Sequence, residues 1–138
     1  MFISENNKKE TRWKLFLYLG ITVFIVVFAA VYERFSHDVY SFHMWFAWIW
    51  VLGFGVVPYL LFFFLPIKKV PGYLTECFYN FGVAMLTIRS IYIGVVDIYG
   101  TSREGMITVY TVISIVFLSI GVLLYIIGLL LNKKETVK

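Results

Sequence analysis

A chain of 138 residues is ordinarily one domain, but 61% of these residues are hydrophobic, 20% aromatic and only 14% charged, outside the range of water-soluble globular proteins. So little polar chain remains that a separate soluble catalytic or receptor domain is excluded, and any function must sit among the apolar runs, at their two ends or with a partner. The formal net charge of +4 lies beside those runs, which marks it as an orientation signal and an anionic-lipid contact rather than a nucleic-acid site.

Four apolar runs, at about 13–32, 42–65, 74–97 and 106–131, each reach or exceed the roughly 20 residues a helix needs to cross the hydrocarbon. The short alternating segments of a transmembrane β-barrel do not occur. The expectation is an all-α integral membrane protein, one four-helix transmembrane bundle spanning 1–138. Lys8, Lys9, Arg12 and Lys14 precede the first run, Lys68 and Lys69 lie in the second connection, and Lys133, Lys134 and Lys138 follow the fourth run. The other two connections hold only Arg34 and Arg103, each beside an acid. The positive-inside rule therefore places both termini and the Lys68 connection in the cytoplasm, and the other two connections outside.

Along the chain, a polar lead of mixed charge gives way at Trp13, an interfacial indole, to a first span in which Gly20, Thr22, Ala29 and Ala30 are the places where another backbone can approach. Its apolar run is longer than a signal-peptide core and Tyr32-Glu33-Arg34 offers no small-residue cleavage site, so it reads as a retained anchor. The loop from Glu33 to Ser41 is the densest polar cluster. If the helix continues past Tyr32, Glu33 and His37 share a face and His43 lies just beyond. Carboxylate and imidazole at that spacing can ligate a divalent metal, or the histidine can protonate in mild acid. A hairpin tip also needs polar residues for its own sake, with Ser41 as N-cap of the next helix. The second reading is preferred, so no metal and no cofactor is assigned.

The second span crowds Phe42, Trp45, Phe46, Trp48 and Trp50 into its outer half, an aromatic belt extended inward. Gly53, Gly55 and Pro58 follow near mid-membrane. Proline at 58 cannot donate to the carbonyl of Phe54, so this trio predicts a kink or hinge. Pro66 to Gly72 is a tight turn that makes spans two and three antiparallel neighbours.

The third span is the most informative. Steps of three and four pick out Glu76, Asn80, Val83, Thr87, Ser90, Gly94 and Asp97, a mostly small or polar stripe on one helical face that is expected to avoid lipid. Arg89 lies on the different sector occupied by Gly82, so two sides of this helix call for protein, water or headgroups. A guanidinium at a helix centre costs about 2.5–3.5 kcal/mol on insertion scales, less when off centre. Three compensations are open: snorkelling toward the outer surface, an ion pair with Glu33, Asp38, Asp97 or Glu104, or an anionic ligand held between helices. Cys77 is the single cysteine, so an internal disulfide and C-x-x-C redox chemistry are set aside. On the fourth span Ser114, Gly121 and Gly128 recur every seven residues, a small-residue seam which, with Gly82 and Gly94 of the third, suits close helix packing.

The string Glu33-x-Phe35-Ser36-His37-x-Val39-x-Ser41, with Leu86-Thr87-x-x-Ser90-x-x-x-Gly94-x-x-x-Ile98-Tyr99-Gly100-Thr101, resembles a group of uncharacterised small four-span membrane proteins of Gram-positive bacteria. The resemblance covers about half the chain; it implies a bacterial plasma-membrane location and supplies no activity. No Ser/His/Asp, H-E-x-x-H or multi-aspartate constellation stands in the sequence, and no histidines pair at matching depth as a four-helix cytochrome b requires. The expectation is thus a non-enzymatic accessory or interaction subunit embedded in the lipid bilayer, bound to a larger membrane protein or to itself, with no nucleic-acid partner. The alternative is a transport or sensing module with an outward-facing polar pocket made of Arg89, Glu33, His37 and Asp97. A redox or cofactor carrier using the histidines ranks third.

Overall fold

The computed structural model describes residues 8–36, 39–64, 71–101 and 104–135, all of them helix or short connection. The helices are α1 (Lys8–Arg34), α2 (Phe42–Trp45), α3 (Trp48–Val51), α4 (Val57–Phe64), α5 (Tyr73–Tyr99) and α6 (Glu104–Glu135), with a π-helical segment, Leu52–Val56, joining α3 to α4. Four stretches are long and apolar enough to cross a membrane: Glu10–Arg34, Phe42–Leu61, Tyr73–Tyr99 and Glu104–Leu131. Among the described residues there is no strand. The four-span, all-helical reading of the sequence therefore stands.

The spans pack in chain order as a row. α1 lies against the second span (α2 to α4), the first half of that span lies against α5, and the most extensive contact joins α5 to α6. Among the described residues α1 makes no substantial contact with α6, so the expected bundle is open rather than closed. The physical reason lies in the two end helices. Their outward sides are continuous hydrocarbon surface, such as Phe24 and Val27 on α1 and Val112, Ile115 and Val116 on α6, with no polar edge that would have to be covered.

α1 buries one seam, Thr11, Tyr18, Thr22, Ile25, Ala29 and Glu33, spaced by fours, one three and one seven. Tyr18 and Ile25 meet Ala47, Val51, Val56 and Tyr59 of the second span in a shared core, and the rings of Tyr18 and Tyr59 stack with centroids 5.4 Å apart. Gly55 makes that approach possible, because a Cβ there would run into the Tyr18 ring.

The second span differs from the single kinked helix expected for 42–65. It is interrupted twice, by a turn at Phe46–Ala47 and by the π segment. The second interruption sits where glycine and proline predicted irregularity. Gly53 and Gly55 lie within it and Pro58 just beyond, where a missing N–H leaves the helical ladder one donor short and a widened turn takes up the mismatch. The Phe46–Ala47 turn had no glycine or proline to announce it. It lets Met44 and Ala47, both wholly buried, turn inward, Met44 just before the break and Ala47 within it.

α5 is the centre of the row. Its hydrophobic window is 44% buried, against 22% for α1 and 17% for α6. Val83, Thr87, Ser90 and Gly94 are buried, as are Gly82, Leu86 and Ile93 on the second side, while Phe81 and Ile88 stand outward. The helix ends at Gly100, whose φ of 66° is left-handed; Gly100 N–H donates to Asp97 O and Thr101 N–H to Val96 O, at 3.3 and 3.2 Å.

Candidate functional site

The polar stripe of α5 is bonded to the second span at the end of the row away from the termini. Ser90 Oγ donates to the carbonyl of His43 at 3.1 Å and accepts the Trp50 indole N–H at 3.2 Å. One turn on, Gly94 allows backbone contact: a Cβ there would stand 3.0 Å from both Cα and N of Met44. Beyond it, Asp97 accepts the hydroxyl of Ser41 at 2.7 Å and lies 3.5 Å from Nδ1 of His43. Ser41 occupies the N-cap position of α2, yet it caps through position only, since its hydroxyl goes to Asp97. In this trio the carboxylate stands between hydroxyl and imidazole. The serine proton is therefore held by the acid and not offered to the histidine, the reverse of a nucleophilic triad.

Arg89 is on the other side of α5. Its Nε donates to Thr111 Oγ1 of α6 at 2.6 Å, and it forms no ion pair with a described carboxylate. Gly82 lies on the same side, with its missing Cβ 2.8 Å from the Leu118 backbone N; Gly121 meets Tyr79 at 2.9 Å, and Ser114 is wholly buried with its hydroxyl donating to Tyr110 O at 2.5 Å. Gly128 is buried further along α6. Gly82 and Gly121 thus lie in the α5–α6 contact, whereas Gly94 faces α2.

Glu33 ends the buried seam of α1, only 8% exposed, with Oε1 unpartnered among the described residues. His37 falls outside the described residues, as does Asp38. Arg89 and Asp97 bond to different neighbours of α5, Thr111 of α6 and Ser41 at the start of α2, and Glu33 lies on α1. The cleft at this end, about 520 Å³ between α1 and α5, is lined by Phe28, Val31, Tyr32, Phe35, Ser36, Ile98 and Tyr99 and by none of the three. Among the described residues no group of three or more His, Cys, Asp or Glu side chains is placed to hold a metal.

The bond from Arg89 to a neutral hydroxyl on α6 is a compensation that the sequence reading did not include. It has a direct consequence. Thr111 Oγ1 itself donates to Ile107 O at 2.7 Å, so removing the guanidinium strands no partner. Arg89→Leu is expected to leave the melting temperature in lipid nanodiscs unchanged or higher, because an off-centre fraction of the ~2.5–3.5 kcal/mol insertion cost disappears. A fall of several degrees would show that Arg89 holds more than Thr111.

The end of the row that carries the termini is richer in polar contacts than the sequence suggested. Lys14 Nζ donates to both oxygens of Glu76, at 2.8 and 2.6 Å, and lies 3.0 Å from Glu10. This links α1 to α5 across 62 residues of sequence. Glu76 keeps 11% of its side chain exposed and Lys14 26%, so the pair is largely withdrawn from solvent. Asn80, one turn along α5 from Glu76, has its Oδ1 buried without a partner among the described residues. Around this pair lie two cavities. A cleft of about 420 Å³ between α1 and α5 runs from Lys14 to Ile25 and from Asn80 to Ile88. A smaller one of about 130 Å³ lies among α4, α5 and α6, walled by Tyr59, Glu76, Tyr79 and Tyr125. The sequence carried a signal for this region, two opposite charges and several tyrosines at one level of the helices, but only the fold shows which of them meet.

No family model matches this chain, and neither a curated protein nor a solved structure is significantly similar to it.

Proposed function

We propose that this chain is a multi-pass plasma-membrane protein with both termini in the cytoplasm, acting without chemistry of its own as an interaction subunit of a larger membrane assembly or of its own oligomer. The observation that carries the reading is the open row: α6 packs chiefly on α5, α1 packs on the second span and reaches α5 through side chains such as Lys14, and both leave most of their residues uncovered. Apolar flanks of this kind pack against another helix as readily as against lipid, which leaves both end helices available to a partner. The transport or sensing alternative draws no support from the geometry, since Arg89 and Asp97 are committed to opposite neighbours of α5. The basic residues flanking the first and fourth spans support the orientation through the positive-inside rule.

Extraction of the tagged chain from its native membrane in polymer-bounded lipid discs tests the role. A stoichiometric second protein, or a defined oligomer by native mass spectrometry, is expected; a lone monomer contradicts the reading. Orientation is tested separately with Thr101→Cys in a Cys77→Ser background. Thr101 is exposed in the turn between α5 and α6, and a membrane-impermeant maleimide is expected to label it in intact cells. Labelling only after permeabilisation would invert the topology.

A further inference from the structure

We propose that the 130 Å³ cavity among α4, α5 and α6 binds a quaternary ammonium group. Its walls are three tyrosines from three helices, Tyr59, Tyr79 and Tyr125, with Glu76 beside them and the rings of Pro58 and Pro71 at its edge. Aromatic rings converging on one small volume attract a cation through the negative charge on their faces, most strongly when the cation is desolvated. The volume is well below the roughly 300–1,000 Å³ of pockets that bury drug-sized ligands, which restricts the occupant to a group of a few heavy atoms.

Charge sets the sign. Among the described residues the one charged side chain in its wall is Glu76, and no basic side chain lines it, which is unfavourable for an anion. Hydrogen bonding sets the class. A primary ammonium brings three donors that each need an acceptor, but both oxygens of Glu76 already accept from Lys14. A quaternary ammonium has no donors to satisfy. It takes what this wall offers, aromatic rings and a carboxylate. The cavity sits at the first two turns of α5, Thr75 to Tyr79, the level at which a span meets lipid headgroups. A choline-type group can therefore arrive from a lipid headgroup or from a free solute. This inference is independent of the interaction role.

The test uses the full chain in phosphatidylglycerol nanodiscs, with melting followed against choline chloride and against its uncharged carbon isostere, 3,3-dimethylbutanol, at matched ionic strength. Choline is expected to raise the melting temperature saturably and the isostere not to. Tyr125→Leu is expected to weaken choline about tenfold while Tyr125→Phe, which keeps the ring, retains it. Saturation transfer by NMR between tyrosine ring protons and the choline methyl groups reads the same contact in the unaltered protein, should Tyr125→Leu not fold. Replacing phosphatidylglycerol by phosphatidylcholine separates the sources: a lipid occupant gives a raised melting temperature that choline no longer shifts, and a free-solute site still responds. Equal stabilisation by the isostere would show a merely apolar cavity and overturn the proposal, as would the absence of both a choline shift and methyl saturation transfer.

Discussion

Gly94→Ala is expected to separate the second span from α5 and to lower the melting temperature. The added Cβ would meet Met44 at its Cβ and stand 3.0 Å from its Cα and N. Backbone atoms cannot rotate aside as a side-chain tip can, so α2 must move back. Overpacking of this kind costs about 1–3 kcal/mol. The retreat also stretches the neighbouring bonds from Ser90 to His43 O and from Ser41 to Asp97, at 3.1 and 2.7 Å, each worth about 1 kcal/mol. Leucine at 94 should prevent folding. Gly20→Ala is the control, because a methyl group added there on α1 would meet nothing within 4 Å and alanine favours helix by up to about 1 kcal/mol over glycine. Thermal unfolding by circular dichroism in nanodiscs should therefore shift in opposite directions for the two variants. Equal shifts would mean that α2 and α5 do not touch at Gly94.

Lys14→Met carries the second large effect. It leaves Glu76, only 11% exposed, without its cation beside Tyr59 and Tyr79. Removing one member of a largely buried ion pair costs about 3–5 kcal/mol, and the partial exposure of Lys14 puts this case near the lower limit. Glu76→Gln should cost less, because Lys14 keeps Glu10 at 3.0 Å. The double variant Lys14→Met with Glu76→Leu should recover most of the loss, since neither charge is then stranded. Strong coupling in this cycle is expected; strictly additive effects would show that α1 and α5 are not joined here.

These two contacts differ in how far the sequence foretold them. The face of α5 from Val83 to Gly94 was legible because a helix repeats every three to four residues, so small and polar side chains at that spacing define one side whatever lies against it. The same reasoning placed Arg89 on a second side, and Gly82 with it. Which neighbour each side meets depends on the order in which the helices pack, a tertiary matter. Thus Arg89 bonds Thr111 rather than an acid, and Lys14, read as an orientation signal, holds Glu76 on another helix. The turn at Phe46–Ala47 escaped for a related reason: no local breaker marks it, and the burial of Met44 before it and Ala47 within it accounts for it. Pro58 did mark its break, because the missing N–H acts within its own helix.

In the proposed bilayer setting, α5 keeps its polar edge and its guanidinium side against protein while Phe81 and Ile88 face hydrocarbon. Carbene footprinting with a diazirine-bearing lipid in proteoliposomes, read residue by residue by tandem mass spectrometry, measures this on the unaltered chain. Insertion is expected at Phe81 and Ile88, which are 48% and 46% exposed, and not at Val83, Thr87, Ser90 or Gly94, which are buried. Labelling of Thr87 and Ser90 to the same extent as Ile88 would contradict the arrangement of the whole row.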